Sequence, residues 1–116
     1  PAGPVVNNRA FGAENTANLV AALIPATESN AGRLSIALLR ETMKHIGFDG
    51  ATTGRYALPL FIWFLNAGVL ANNGDPWRDR PYDLAITDRA EIHQALCTTA
   101  PPEPEELTRA KKAGLK

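Results

Sequence analysis

The stretch that decides the fold covers residues 52–84 and reads TTGRYALPLFIWFLNAGVLANNGDPWRDRPYDL. Its first part is apolar at almost every position from Tyr56 to Leu65, which predicts a helix that is covered on most sides. Gly68 is expected to end that helix. Short apolar runs then flank a loop at 72–80 that is rich in Gly, Asn and Pro, a pattern typical of a β-hairpin. The stretch therefore predicts a helix followed by two antiparallel strands.

Helical patterns also precede this stretch. An apolar stripe that starts at Ala13 predicts a first helix, which Pro25 is expected to end. Apolar residues at a 3-4-3 spacing predict a second helix from about Arg33 to Ile46. The third helix is expected to take its N-terminal cap from Thr52 or Thr53, because a hydroxyl at that position accepts a hydrogen bond from the first free N–H groups.

A last helix is predicted up to about Leu96, with Thr87 or Asp88 as its cap. The order helix, helix, helix, hairpin, helix predicts a mainly α fold with a small β-hairpin. We expect a winged helix-turn-helix, with a three-helix core, loop 72–80 as the wing and an extra C-terminal helix. The expected organisation is a flexible N-terminal arm at 1–12, the winged-helix domain at 13–96, and a Pro-rich linker with a frayed, charged tail at 97–116.

Composition limits the classes of function. The 116 residues suffice for one domain with its own core, and 12 basic residues balance 12 acidic ones. A neutral chain has no bulk field for polyanions, so binding to them must come from a local patch. The single cysteine, Cys97, excludes an internal disulfide and fits a reducing compartment. The apolar stretch 56–70 is too short to span a bilayer, so we expect a cytoplasmic protein without membrane contact.

The motifs of 52–84 follow an order seen in a known family. A capping Thr, an Arg-Tyr-Ala-x-Pro-Leu step, a Gly after the helix and a Gly-Asp loop occur one after another. In this respect the stretch resembles the winged-helix modules at the C-terminal end of the selenocysteine-specific elongation factor (SelB). The resemblance implies the fold and a basic face, near Arg55 and the wing, that meets nucleic acid; it does not extend to selenocysteine insertion. The residues that carry it are Thr53, Arg55, Tyr56, Pro59, Leu60, Gly68, Gly74, Asp75 and Leu84.

Charge patterning favours the same surface. A helix that reads a DNA groove exposes polar side chains at its N-terminal end. Residues 31–56 hold four basic against two acidic side chains, and the wing adds two arginines beside a tryptophan that is suited to stacking on a base. The candidate nucleic-acid contacts are Lys44, Thr52, Thr53, Arg55, Trp77, Arg78 and Arg80. In the alternative interpretation, the wing arginines pair with neighbouring aspartates and Trp77 packs on the base of the wing.

The aromatic run of the third helix supports a second hypothesis. Three helices and a hairpin cover about two faces of a helix, so one aromatic edge is expected to stay exposed and to form a protein interface. Its candidate residues are Tyr56, Trp63 and Phe64. A purely internal core is the alternative for this edge. We therefore expect a module that binds nucleic acid, DNA rather than RNA. We expect it to act as a dimer or within a larger assembly. A protein-interaction or scaffold domain is the alternative.

The sequence offers no pattern typical of catalysis. His45 and His93 lie on different predicted helices, without other ligands at metal-binding spacing. Ser29 and Ser35 have no nucleophile-elbow pattern around them, and the glycines form no phosphate-binding loop. Cys97 stands alone at a predicted helix end. We therefore expect a non-enzymatic protein without cofactor or metal.

Overall fold

The computed structural model describes residues 12–74 and 77–115, which form five helices and one three-stranded antiparallel sheet. The predicted mainly helical class with a small hairpin is confirmed. The predicted N-terminal arm, apart from Gly12, and the wing residues Asp75 and Pro76 lie outside the described residues. The elements are α1 (Ala13–Glu28), β1 (Arg33–Leu34), α2 (Ile36–His45), α3 (Gly50–Ala67), β2 (Leu70–Ala71), β3 (Tyr82–Leu84), α4 (Arg89–Cys97) and α5 (Pro104–Lys112).

The hairpin forms where the sequence predicts it. Strands β2 and β3 pair antiparallel, and β3 also pairs antiparallel with β1, so the order in the sheet is β1-β3-β2. Gly68 ends α3 in the left-handed conformation, with φ of 79°, as predicted for a glycine after a helix. The register pairs are Leu70 with Leu84, Ala71 with Asp83, Leu34 with Tyr82 and Arg33 with Asp83.

Strand β1 is a correction to the prediction. The sequence pattern placed Arg33 and Leu34 at the start of the second helix, whereas they pair with β3. The helix begins after Ser35, whose hydroxyl accepts a hydrogen bond of 3.0 Å from the backbone N–H of Leu38. A strand of two residues has no periodicity of its own, which is why the pattern did not reveal it.

Helices α2 and α3 are joined by the turn 46–49, in which Gly47 has a φ of 117°. Asp49 caps α3, because its carboxylate accepts a hydrogen bond of 2.7 Å from the N–H of Thr52. The predicted caps Thr52 and Thr53 are therefore wrong: α3 starts earlier, and both threonines lie inside it. Two helices joined by a short turn that contains glycine are compatible with the predicted helix-turn-helix.

Prolines do not end the helices that contain them. Pro25 was expected to end α1, yet α1 continues to Glu28, and Pro59 lies inside α3. A proline removes one N–H donor from a helix, and buried neighbours can hold the remaining turns together. In α1 the buried face continues past Pro25 to Thr27, which is 2% exposed. Tertiary packing thus outweighs the local cost of the proline.

The C-terminal segment forms part of the core, against the expectation of a frayed tail. Helix α5 packs against α3, and both Ala110 and Leu115 are fully buried. At its start, the N–H of Glu103 donates a hydrogen bond of 3.1 Å to the carboxylate of Glu106. The sequence showed only Leu107 and Leu115 as apolar anchors, whereas a small residue, Ala110, is also fully buried.

Helix α4 closes the other side of the core by packing along α1. Arg89 joins the two helices at the surface: its guanidinium donates to the side-chain oxygen of Asn18 and pairs with the carboxylate of Glu14. Asp88 caps α4, as predicted, by accepting a hydrogen bond from the N–H of Glu91. None of the helices described is both long and apolar enough to cross a membrane.

Candidate nucleic-acid interface

Helix α3 divides into an exposed start and a buried remainder. All residues of 57–65 are buried, because α2, α4, α5 and β2 contact this helix. The first turns carry small side chains and one cation on the outside. The exposed residues there are Gly50, Ala51, Gly54 and Arg55. The helix therefore presents a short outer face of low relief with a single guanidinium.

Lys44 provides a second cation next to the turn that joins α2 to α3. It lies exposed in the last turn of α2, while Arg55 lies exposed in the second turn of α3, beyond the turn 46–49. The carboxylate of Asp49 lies between these two positions in the chain. Hydrogen bonds from the backbone N–H of Thr52, and then from its hydroxyl, hold the pKa of Asp49 below its usual value. This carboxylate is thus engaged as a helix cap.

The two candidate threonines differ in accessibility. Thr52 is half-buried, and its backbone N–H is taken by Asp49. Thr53 is 1% exposed and faces the core, so the predicted contact of Thr53 with nucleic acid is wrong. The helix starts one turn earlier than predicted, and this shift rotates Thr53 inward.

The loop between β2 and β3, the predicted wing, is anchored to the sheet by Tyr82. Its hydroxyl accepts a hydrogen bond of 3.0 Å from the N–H of Arg78 and donates one of 3.0 Å to the carbonyl oxygen of the same residue. The guanidinium of Arg80 lies 4.1 Å from the centre of the Tyr82 ring. The side chain of Arg78 is exposed. The two hydrogen bonds to its backbone therefore fix the position in the loop from which this cation projects.

Trp77 is half-buried and packs against the core. The guanidinium of Arg109, from α5, lies 5.4 Å from the centre of its ring. This contact favours the interpretation in which Trp77 packs at the base of the wing over the one in which its ring stacks on a base. Of the aspartates considered for pairing with the wing arginines, Asp83 pairs with Arg33 across the sheet, at 3.2 Å.

The predicted aromatic edge is not exposed. Trp63 is 3% exposed and Phe64 is fully buried, while Tyr56 is half-buried. The prediction of a protein interface at Trp63 and Phe64 is therefore wrong. Its physical reason is the C-terminal segment, which the prediction treated as a frayed tail and which covers α3.

One group of candidate residues was missed, in the last turn of α5. Arg109 and Lys112 are exposed there, and Arg109 reaches the wing through Trp77. The sequence does show the acidic start and basic end of this helix, but that order is also typical of charges that favour a helix dipole. Only the contact between Arg109 and Trp77 distinguishes a candidate binding surface from charges that merely favour the helix dipole.

Within 12–74 and 77–115, no cluster of three or more His, Cys, Asp or Glu side chains is arranged to hold a metal ion. His93 contacts Glu14 at 3.4 Å and Cys97 at 3.5 Å through the same ring nitrogen. Comparisons with known proteins add no assignment: no family model matches the chain, and no curated protein or solved structure matches it. The function must therefore be argued from the geometry of the chain itself.

Proposed function

We propose that this chain is a non-enzymatic winged-helix module that binds duplex DNA through the first turns of α3 and the loop between β2 and β3. The observation that carries the proposal is topological. A helix-turn-helix (α2, turn 46–49, α3) is followed directly by a hairpin, and β1 completes a sheet of order β1-β3-β2. This arrangement supports a wing beside the second helix of a helix-turn-helix, the element that enters the major groove in such proteins.

The outer face of α3 suits the close approach of a helix to DNA. The major groove is about 12 Å wide and admits one helix, whose N-terminal residues contact the base edges. Gly50, Ala51 and Gly54 add almost no side-chain bulk at this end, so the helix backbone can come near the bases. Arg55 then supplies a planar guanidinium, which binds a phosphate with two hydrogen bonds.

The charges predict modest, salt-dependent binding. The chain as a whole is neutral, so local cations must supply the attraction. The exposed cations are Lys44 at the end of α2, Arg55 in the second turn of α3 and Arg78 in the loop between β2 and β3, and the proposal assigns one phosphate to each. Three phosphate contacts give a slope of about −2.7 for the logarithm of the binding constant against the logarithm of the salt concentration.

The test is a titration of a short fluorescent duplex of mixed sequence at several salt concentrations. Arg55→Ala should reduce the magnitude of the slope by about 0.9, because one phosphate contact is lost. Lys111→Ala is the matched control, since it removes an exposed cation from another helix. Equal slopes for Arg55→Ala and the wild type, with both proteins shown to be folded by circular dichroism, would contradict the proposal.

Self-association is the second candidate function, and Ile46 is the observation that favours it. Ile46 is 45% exposed and is shared by two hollows of the α1–α2 face, one beside Leu19 and Phe48, the other beside Pro25 and Leu38. A second copy of the chain is the proposed occupant, because a dimer presents two α3 helices to two half-sites. Sedimentation over a range of concentrations should show a dimer for the wild type and a monomer for Ile46→Lys.

A further inference from the structure

Helix α5 lies beside the wing. The guanidinium of Arg109 is 5.4 Å from the ring centre of Trp77, which directly precedes the exposed Arg78 in the chain. The position of α5 is fixed independently of this contact, since Ala110 and Leu115 are fully buried and the side-chain amide of Asn66 in α3 donates to Glu106. The end of α5 is therefore held next to the wing by the core.

The last turn of α5 has a basic side that faces the wing. Ala110 points into the core, and the exposed Arg109 and Lys112 are three positions apart, so they are neighbours on the helix surface. Lys111 is also exposed, but at about 100° per residue it points about 160° away from Arg109. Two of the three cations of this turn thus share the side that contacts Trp77.

We infer that the last turn of α5 is a second DNA-contacting element, in which Arg109 and Lys112 bind backbone phosphates next to those bound by Arg78 of the wing. The inference rests on the proposed function and extends it to a segment that the sequence predicts to be a tail. With this second element, the protein contacts a longer stretch of duplex than a helix-turn-helix and wing alone would contact.

The contact with Trp77 leaves Arg109 able to bind phosphate. The π face of an indole attracts a guanidinium without occupying all of its five N–H donors. Free N–H donors match the oxygens of a phosphate in a bidentate arrangement. The contact also restricts the side chain before binding, so less conformational entropy is lost when the phosphate arrives.

Negative charges lie near Arg78, Arg109 and Lys112 but do not neutralise this cluster of cations. Asp79 lies in the wing, Glu105 lies one turn before Arg109, and the carbonyl end of α5 carries about half a negative charge. Against them stand Arg78, Arg109 and Lys112, with Arg80 held over the Tyr82 ring in the same loop. The cluster stays positive, as binding to a phosphate backbone requires.

The experiment is the same duplex titration with variants of α5. Arg109→Ala should lower the magnitude of the salt slope by about 0.9, which corresponds to about eightfold weaker binding at about 0.1 M salt. Lys111→Ala removes the same charge from the same helix turn, and with it the same favourable interaction with the helix dipole. This control should leave both affinity and slope unchanged. Arg109→Lys should keep the slope, because it keeps the charge.

The outcomes separate this inference from the proposed function. If Arg55→Ala weakens binding and Arg109→Ala behaves like Lys111→Ala, the contact by α5 is wrong and the proposed function stands. If the wild type does not bind duplex DNA at low salt, both are wrong. Thermal unfolding of each variant shows whether a loss of binding follows from a loss of fold: a variant with wild-type stability and a reduced slope supports the inference.

Discussion

The indole nitrogen of Trp63 donates a hydrogen bond of 2.9 Å to the carbonyl oxygen of Thr99. This bond ties the segment after α4 to the middle of α3, and α5 then packs against α3, with Ala110 of α5 and the following Leu115 both fully buried. An 18-residue helix with a continuous buried stretch needs cover on all sides. The C-terminal segment supplies the last side, which leaves the first turns of α3 exposed for an external partner.

The bond between Trp63 and Thr99 can be tested by Trp63→Phe. This variant keeps an aromatic ring but leaves the carbonyl oxygen of Thr99 without its donor, so it should destabilise the fold by about 1–3 kcal/mol. Urea unfolding measures the difference. The matched control is Trp77→Phe, the same exchange at a half-buried ring of the wing, which should cost clearly less. Equal losses for the two variants would show that the hydrogen bond is not what matters.

Two glycines, one inside α3 and one at its C-terminal cap, should change the stability of the fold in opposite directions when replaced by alanine. Gly68→Ala places a side chain at a φ of 79°, in the left-handed region, and should destabilise by about 1–2 kcal/mol. Gly54→Ala lies in the helix interior, where an added Cβ meets no atom within 4 Å, and should stabilise by about 0.4–1 kcal/mol. Urea midpoints of the two variants give the signs. A stabilised Gly68→Ala would contradict the described end of α3.

Asp49 should make α3 sensitive to acid. Because hydrogen bonds from Thr52 lower its pKa in the folded state, the carboxylate contributes stability that is fully present above the pKa of the unfolded chain. That contribution is lost as the pH falls through the lowered pKa. Asp49→Asn keeps a capping side chain without this titration. The stability of the wild type should therefore fall relative to Asp49→Asn between neutral pH and about pH 3. A pH-independent difference would show that the cap does not titrate as described.

Tyr82 should control the order of the wing. Tyr82→Phe keeps the ring, whose centre is 5.8 Å from that of Phe61, but removes the hydroxyl that binds both backbone groups of Arg78. The amide of Arg78 should exchange its proton faster, and the fold should lose about 1 kcal/mol. Hydrogen exchange measured by NMR resolves this amide. Unchanged protection of Arg78 would mean that other contacts hold the loop.

The sequence predicted what local signals determine. The starts of α1 and α4, the end of α3 at Gly68 and the pairing of the hairpin follow from caps, glycines and short-range patterns. The strand β1 and helix α5 were missed because their existence depends on distant partners, Tyr82 for β1 and α3 for Ala110. A two-residue strand and a small buried alanine leave no periodicity in the sequence.

The same limit applies to the candidate site. Lys44, Arg55 and Arg78 are exposed, in accordance with their choice as contacts, because a charged side chain rarely lies in a core. For Thr53 and Trp63 the sequence does not show which side faces the core, since that depends on where α3 starts and on what covers it. The proximity of Arg109 to Trp77 is a tertiary contact that no local pattern indicates.

The central claim is that the first turns of α3 bind the DNA backbone and groove, and the salt dependence of duplex binding tests it most directly. Binding constants of the wild type and Arg55→Ala are measured on one labelled duplex from low to moderate salt. The wild type should show a slope of about −2.7 or steeper, and Arg55→Ala should show a slope that is shallower by about 0.9. A wild type that does not bind, or two identical slopes from two folded proteins, would contradict DNA binding by the first turns of α3.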